Sequence, residues 1–110
     1  MNENPTCEEI LQELAQSMNP EAARGLNVDI QFVFSGAQLG TYYLHLSDGK
    51  CSVHKGELGF ARLTIRTDVN DWINLQTGKT NWTEAMMQRK FMATGNFPLL
   101  ARLPQIFKIG

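Results

Sequence analysis

Few groups in this chain can move protons, attack as nucleophiles or hold metal, and their spacing suits none of those tasks. The two histidines, His45 and His54, stand on neighbouring predicted strands. Both fall on the solvent-side phase of the alternation, so a surface pair is expected rather than a catalytic or metal site. Cys51 and His54 share a strand but are separated by an odd number of residues. That puts them on opposite faces, where a thiolate–imidazolium pair is not easily formed. Asp68 and Asp71 resemble paired carboxylates, yet at a helix start they read as capping groups. Cys7 and Cys51 are the only cysteines. Their spacing matches no zinc or redox motif, so both are expected as reduced core or boundary residues. Gly36, Gly40, Gly56 and Gly59 do not form a phosphate loop. The expectation is therefore no catalytic residue, no metal and no cofactor.

The elements that carry these residues make a compact pattern. Thr6-Cys7-Glu8-Glu9 is a capping box. Ile10, Leu11, Leu14, Ala15 and Met18 follow at helical spacing, with Glu8, Glu9, Gln12, Glu13 and Gln16 facing out. Asn19-Pro20 stops that helix, and Asn19 can cap a short turn that Gly25 closes. The period then drops to two. Val28, Ile30, Phe32 and Phe34 alternate with Asn27, Asp29, Gln31 and Val33. Residues 41–47 form a second strand with Tyr42, Leu44 and Leu46 on one face. Asp48-Gly49 is a tight turn into residues 50–55, with Cys51 and Val53 in register. Ala61, Leu63 and Ile65 continue the alternation, and the simplest reading is a four-stranded antiparallel meander with one wet face. Asp68 caps a helix carrying Val69, Trp72 and Ile73, which Thr77-Gly78 ends. Asn81 caps another, with Trp82, Ala85 and Met86 as its apolar positions. Residues 91–94 suit a fifth strand. Residues 96–107 suit an amphipathic helix that Pro104 is expected to break.

A chain of 110 residues with 43% apolar and 19% charged residues is one globular domain, 1–110, with room for one core and one pocket. No apolar run is long enough to span a membrane. No signal-peptide pattern opens the chain and no peroxisomal tripeptide ends it, so the expected location is cytoplasmic. A net charge of −1 argues against nucleic acid as a partner. The charge is uneven: residues 1–30 carry six acids against Arg24, −5, which leaves +4 for the rest. An acidic first helix on a mildly basic body accounts for this, and so would a basic patch for anionic lipid headgroups.

What stands out is bulky apolar matter late in the chain. Trp72, Trp82, Met86, Met87, Phe91, Met92, Phe97, Leu99, Leu100, Leu103, Ile106 and Phe107 all fall in its last 39 residues. An ordinary core between sheet and helices explains many of them. Flexible thioethers also adapt to varied guests, and an apolar helix at a chain end can act as a lid.

The run Asn19-Pro20-Glu21-Ala22-Ala23-Arg24-Gly25-Leu26, then Ile30-Gln31-Phe32 and Ser35-Gly36, resembles the opening of the sterol carrier protein type-2 domain family. The likeness continues through Leu46-Ser47-Asp48-Gly49-Lys50-Cys51-Ser52-Val53. It is strongest at Asp68, at Trp72-Ile73-Asn74-Leu75-Gln76-Thr77-Gly78-Lys79 and at Ala85-Met86-Met87-Gln88-Arg89-Lys90-Phe91, and ends at Thr94-Gly95-Asn96. The resemblance implies an α+β fold, a five-stranded, mainly antiparallel sheet covered by helices around a hydrophobic tunnel. It also implies a non-catalytic carrier of fatty acid, fatty acyl-CoA, sterol or phospholipid. By position, Phe32, Trp72, Ile73, Trp82, Met86 and Phe91 are expected at the tunnel, with Leu99, Leu100 and Leu103 above it. The implied partners are an apolar lipid-like molecule, a membrane surface touched transiently, or a lipid-metabolising enzyme; an accessory module for such an enzyme is the alternative reading. Arg89 stands where that family usually has Gly, so the helix-to-strand turn is expected to be made differently.

Overall fold

A computed structural model describes residues 5–109. Helix α1 (Cys7–Gln16) starts at a reciprocal capping box: Thr6 Oγ1 accepts the Glu9 amide at 3.1 Å, and the Glu9 carboxylate accepts the Thr6 amide at 2.9 Å. Each bond satisfies an amide that the helix geometry leaves unpaired. The helix buries Cys7, Ile10, Leu11 and Leu14. Gln38 pins its start, accepting the Cys7 amide at 3.0 Å and donating to the Pro5 carbonyl at 2.7 Å. Asn19 caps a turn at residues 20–25, and Gly25, at φ +79°, releases the chain into the sheet.

The sheet contains β1 (Val28–Ser35), β2 (Gly40–Ser47), β3 (Lys50–Lys55), β4 (Leu63–Asp68) and β5 (Phe91–Gly95) in the order β3-β2-β1-β4-β5. Three pairings are antiparallel, but β1 and β4 run parallel, with Ile30 opposite Leu63 and Phe32 opposite Ile65. The four-stranded meander is therefore corrected. After β3 the chain crosses back under the polar face of the sheet and inserts β4 beside β1. Two bonds guide the crossing: the Leu58 amide donates to Gln31 Oε1 at 2.7 Å and the Arg62 amide to the Asp29 carbonyl at 3.1 Å. The physical gain is burial. At the β3 edge Leu63 and Ile65 would sit on a half-open flank; between β1 and β5 both are fully covered.

Period-two alternation gives the sheet one apolar face. Ile30, Leu44, Val53 and Leu63 lie in one cross-strand row, and Phe32, Tyr42, Ile65 and Ala93 in the next. The helices cover this inner face. Asp68 starts α2 (Val69–Gln76) by accepting the Asn70 amide at 2.8 Å. Asn81 starts α3 (Trp82–Met87) by accepting the Glu84 amide at 2.8 Å. Asn96 starts α4 (Phe97–Ile106) by accepting the Leu99 amide at 3.0 Å. Gly36 sits against the Asp68 carboxylate so closely that a Cβ there would collide with it. That contact ties the β1–β2 turn to the start of α2.

Two further details depart from expectation. Helix α4 runs through Pro104 to Ile106, and the Phe107 amide still bonds the Leu103 carbonyl at 2.9 Å. The ring removes one helical bond in the last turn, and burial of Leu103, Ile106 and Phe107 outweighs that loss. The α3–β5 turn uses the usual glycine geometry without the glycine. Arg89 has φ +55°, its amide bonds the Met86 carbonyl, and the Lys90 amide bonds the Ala85 carbonyl, a Schellman closure. Gly78 closes α2 in the same way at φ +86°. The non-glycine residue at this position costs on the order of 1 kcal/mol.

Candidate functional site

The centre of the inner face is a line of aromatic rings. Phe32 on β1 meets Trp72 on α2 edge-on, ring centres 5.1 Å apart. Trp72 meets Phe91 on β5 at 6.5 Å, and Phe91 meets Trp82 on α3 at 5.1 Å. Phe34 extends the line beyond Phe32 at 5.9 Å. Edge-on and offset contacts of this kind suit the ring quadrupoles. Phe32 and Trp72 are each 1% exposed. A tryptophan this deep must place its N–H: Trp72 Nε1 donates to Gln76 Oε1 at 2.8 Å, and Gln76 Nε2 donates to the Ile10 carbonyl at 2.9 Å. Gln76 thus joins α2 to α1 and leaves no unpaired donor beneath the aromatics. One polar residue carries no periodic signal, so Gln76 drew no functional reading from sequence.

Helix α4 supplies Leu99, Leu100 and Leu103, all buried in the same continuous core. Ile73 and Trp82 are partly buried against that core. Met86 is different: it is 48% exposed on α3, as Met87, Met92 and Phe97 also are exposed nearby in sequence. So Phe32, Trp72, Trp82 and Phe91 form one line and the three leucines lie on α4, while Met86 is on the outside of its helix. Helix α4 is tethered at both ends. The Asn96 amide bonds the Arg62 carbonyl at 2.9 Å; the Ile106 carbonyl accepts the Asn19 amide at 2.7 Å, and the Lys108 amide donates to Ser17 Oγ at 3.0 Å.

The chemistry-bearing residues lie on the other face. Asp29 Oδ1 meets His45 Nδ1 at 2.7 Å, and Ser52 Oγ meets His54 Nε2 at 2.8 Å. His45 is directly opposite Ser52 in the ladder, and His54 stacks on Tyr43 at 4.9 Å. Acid, imidazole and hydroxyl all stand here, but the bonds form two separate pairs. The carboxylate orients one histidine and the serine meets the other, so no acid–base–nucleophile relay is built. Cys51 is on the inner side, where burial pushes its thiol pKa up to about 11. Burial likewise raises Cys7. Neither is a ready nucleophile at neutral pH. Among the described residues, no cluster of His, Cys, Asp and Glu is placed to hold a metal, and no helix is long and apolar enough to cross a membrane.

A mixed sheet with one polar face, and helices enclosing aromatic and aliphatic side chains on the other, defines an α+β fold whose distinctive asset is its apolar interior. The model of the SCP-2 sterol transfer family matches residues 7–108, and the chain belongs to that family. It is 32% identical over 100 residues to hydroxysteroid dehydrogenase-like protein 2 of Xenopus laevis, a match covering 90% of this chain and 24% of that protein. The chain thus spans about a quarter of the length of that relative. Among solved structures it is similar to palmitated SCP2L2 from Aedes aegypti, with a TM-score of 0.75 and 18% identity over 92% of this chain and 93% of that one. It is also similar to part of the stereoselective inverting sec-alkylsulfatase Pisa1 from Pseudomonas sp., with a TM-score of 0.81 and 17% identity over 94% of this chain and 16% of that enzyme.

Proposed function

We propose that this chain is a non-catalytic lipid carrier that shelters the hydrocarbon part of a fatty acid, fatty acyl-CoA, sterol or phospholipid between its sheet and its helices. One observation carries the reading. The helices, α4 among them, roof an inner face built mainly of apolar side chains, while both histidines, Asp29 and Ser52 lie on the opposite face. Phe32, Trp72 and Phe91 would form the floor of the binding space and Leu99, Leu100 and Leu103 its roof. Entry of a chain would part α4 from the sheet, the helix turning on its terminal tethers. Each methylene transferred from water is worth about 0.8 kcal/mol, so ~15 of them supply on the order of 12 kcal/mol gross. Association and ordering costs remove much of that, and micromolar affinity still needs no specific polar contact. The likeness to a palmitated neighbour supports the reading.

The test is native mass spectrometry of freshly purified protein, followed by titration of the delipidated protein with palmitate while tryptophan emission is recorded. A co-purifying lipid mass and a saturable change from Trp72 and Trp82 are expected. Protein that is empty and shows no saturable change up to the solubility limit of the lipid would overturn the reading. A second reading has its own support: the chain matches only part of a dehydrogenase-like protein and part of an alkylsulfatase. As an accessory module it would dock on a lipid-metabolising enzyme rather than carry a lipid itself. That reading gains if the empty protein raises the turnover of a lipid-metabolising enzyme while binding no alkyl chain itself.

A further inference from the structure

At the open end of the core, where α4 begins, lies a cleft of about 180 Å³ lined by Leu26, Val28, Arg62, Asn96, Pro98, Leu99 and Arg102. Its residues divide by type. Val28 and Leu99 belong to the buried core and Leu26 packs against it, so part of the lining is the rim of the apolar interior. Arg62 and Arg102 are the two charged residues of the same lining. Among the described residues neither forms an ion pair, whereas Arg24 is held by Glu21 and Lys90 lies 3.9 Å from Asp71. The Asp29 carboxylate, one residue from Val28, is engaged by His45 on the far face of the sheet. Helix α4 contains no acidic residue.

The backbone under both arginines is fixed. The Arg62 amide and carbonyl are both bonded, to the Asp29 carbonyl and the Asn96 amide. Gly95 passes so close that a Cβ on it would strike the Arg62 carbonyl. Arg102 Nη2 donates to the Ala22 carbonyl at 2.8 Å, which anchors one edge of its fork and leaves other N–H groups unassigned. Two cations over an apolar floor are complementary to an amphiphile with an anionic head. A neutral sterol or alcohol would leave the guanidiniums with water alone, while an oxyanion gains charge-assisted hydrogen bonds that the fork geometry suits. The cleft volume admits an oxyanion head and the first methylenes of its chain.

We infer that this cleft, through Arg62 and Arg102, is the headgroup subsite of the carrier and selects amphiphiles bearing a carboxylate, phosphate or sulfate head over neutral ones. The inference rests on the lipid-carrier reading and names the ligand class for that same interior. It is tested with two probes of equal chain length, dodecyl phosphate and dodecanol, titrated calorimetrically below aggregation into the delipidated 110-residue chain. Inorganic phosphate is the competitor.

The wild type should bind dodecyl phosphate at least tenfold more tightly than dodecanol. In Arg62→Gln, whose backbone bonds are retained, and in Arg62→Gln/Arg102→Gln, that preference, read as the ratio of the two affinities within each protein, should shrink towards unity. Arg102→Lys keeps the charge and should keep part of the preference, which separates charge from the structural bond to Ala22. Equal binding of both probes by the wild type, or an undiminished preference in the double variant, overturns the headgroup assignment and leaves the carrier intact. Failure of both probes to bind overturns the carrier reading as well. If millimolar inorganic phosphate binds as tightly as dodecyl phosphate, the cleft takes a free anion and the lipid assignment falls.

Discussion

The two faces of the one sheet differ more than any two elements of the molecule. Phe32 and Gln31 are neighbours in β1 and both are buried, at 1% and 5% exposure, yet they are buried in opposite senses. Phe32 lies among rings and aliphatic chains, and its worth scales with the apolar surface that it removes from water. Gln31 is covered on the outer face by the crossover of residues 56–62, and its worth is one directed bond to the Leu58 amide. The inner face holds the aromatic and aliphatic core, and the outer face holds the histidines, serine and carboxylate. The sheet therefore separates the two imidazole pairs from the apolar core, a separation that the proposed carrier role requires.

The largest effect expected from breaking this contrast is at Phe32. Phe32→Ala removes a ring packed against Trp72 and Phe34 and should cost about 3–5 kcal/mol of unfolding free energy. Gln31→Ala, one residue away, should cost about 1–2 kcal/mol, because it leaves one loop amide to find water instead. Urea denaturation of the two variants against wild type measures both. Equal losses would mean that the crossover is as important as the core and would erase the distinction between the faces.

The thiol of Cys51 sharpens the comparison through pH. It lies on the inner side opposite Leu46, and burial raises it to about 11 from the ordinary 9.0. A folded pKa above the unfolded one means that the unfolded chain loses its proton first. Stability from this group is therefore complete below pH 9 and falls as pH rises towards 11. The wild type should lose stability more steeply than Cys51→Ala across that window, since Tyr42 and Cys7, both raised by burial, are common to the two proteins. At pH 8 a shift of two units also lowers the thiolate fraction about a hundredfold, so folded protein should react correspondingly more slowly with a thiol reagent than urea-unfolded protein. Identical pH slopes in the two proteins, together with fast labelling of the folded one, would place Cys51 in solvent.

Much of this architecture could be read from residues alone. Thr6, Asp68 and Asn81 cap helices as their spacing requires, and the period-two runs put Ile30, Phe32, Leu44, Leu63 and Ile65 on one face. Strand order could not be read, because alternation is the same whether β4 pairs with β3 or returns to β1. That choice is made by long-range burial of Leu63 and Ile65 and by the bond from Leu58 to Gln31. Pro104 misled for a related reason: a local penalty is visible in sequence, while the packing of Leu103, Ile106 and Phe107 that offsets it is not. The candidate site residues were named by position from the family resemblance, because a surplus of large apolar residues is equally that of an ordinary core. The placement of Met86 on the exposed side of α3, the part of Gln76 beneath Trp72, and the presence of Arg62 and Arg102 on one cleft all needed the fold.

The smallest expected effect is the most searching, because it asks whether the outer face matters to the inner one at all. His45 is paired with Asp29 at 2.7 Å, but both side chains are more than a third exposed or close to it, at 44% and 33%. His54 bonds Ser52 and stacks on Tyr43, and it is exposed. Solvent-exposed pairs of this kind contribute roughly 0–1 kcal/mol. The double variant His45→Ala/His54→Ala should therefore unfold within about 1 kcal/mol of wild type. Its palmitate affinity should be unchanged within twofold, because neither ring touches the apolar compartment. Its tryptophan response should also be unchanged, since Trp72 and Trp82 stand on the other side of the sheet. Were the folded double variant to bind palmitate tenfold more weakly, the outer face would be part of the site. Were wild-type protein to hydrolyse acyl esters and this variant to lose that turnover, the two imidazole pairs would be a working centre and the proposed non-catalytic role would fail.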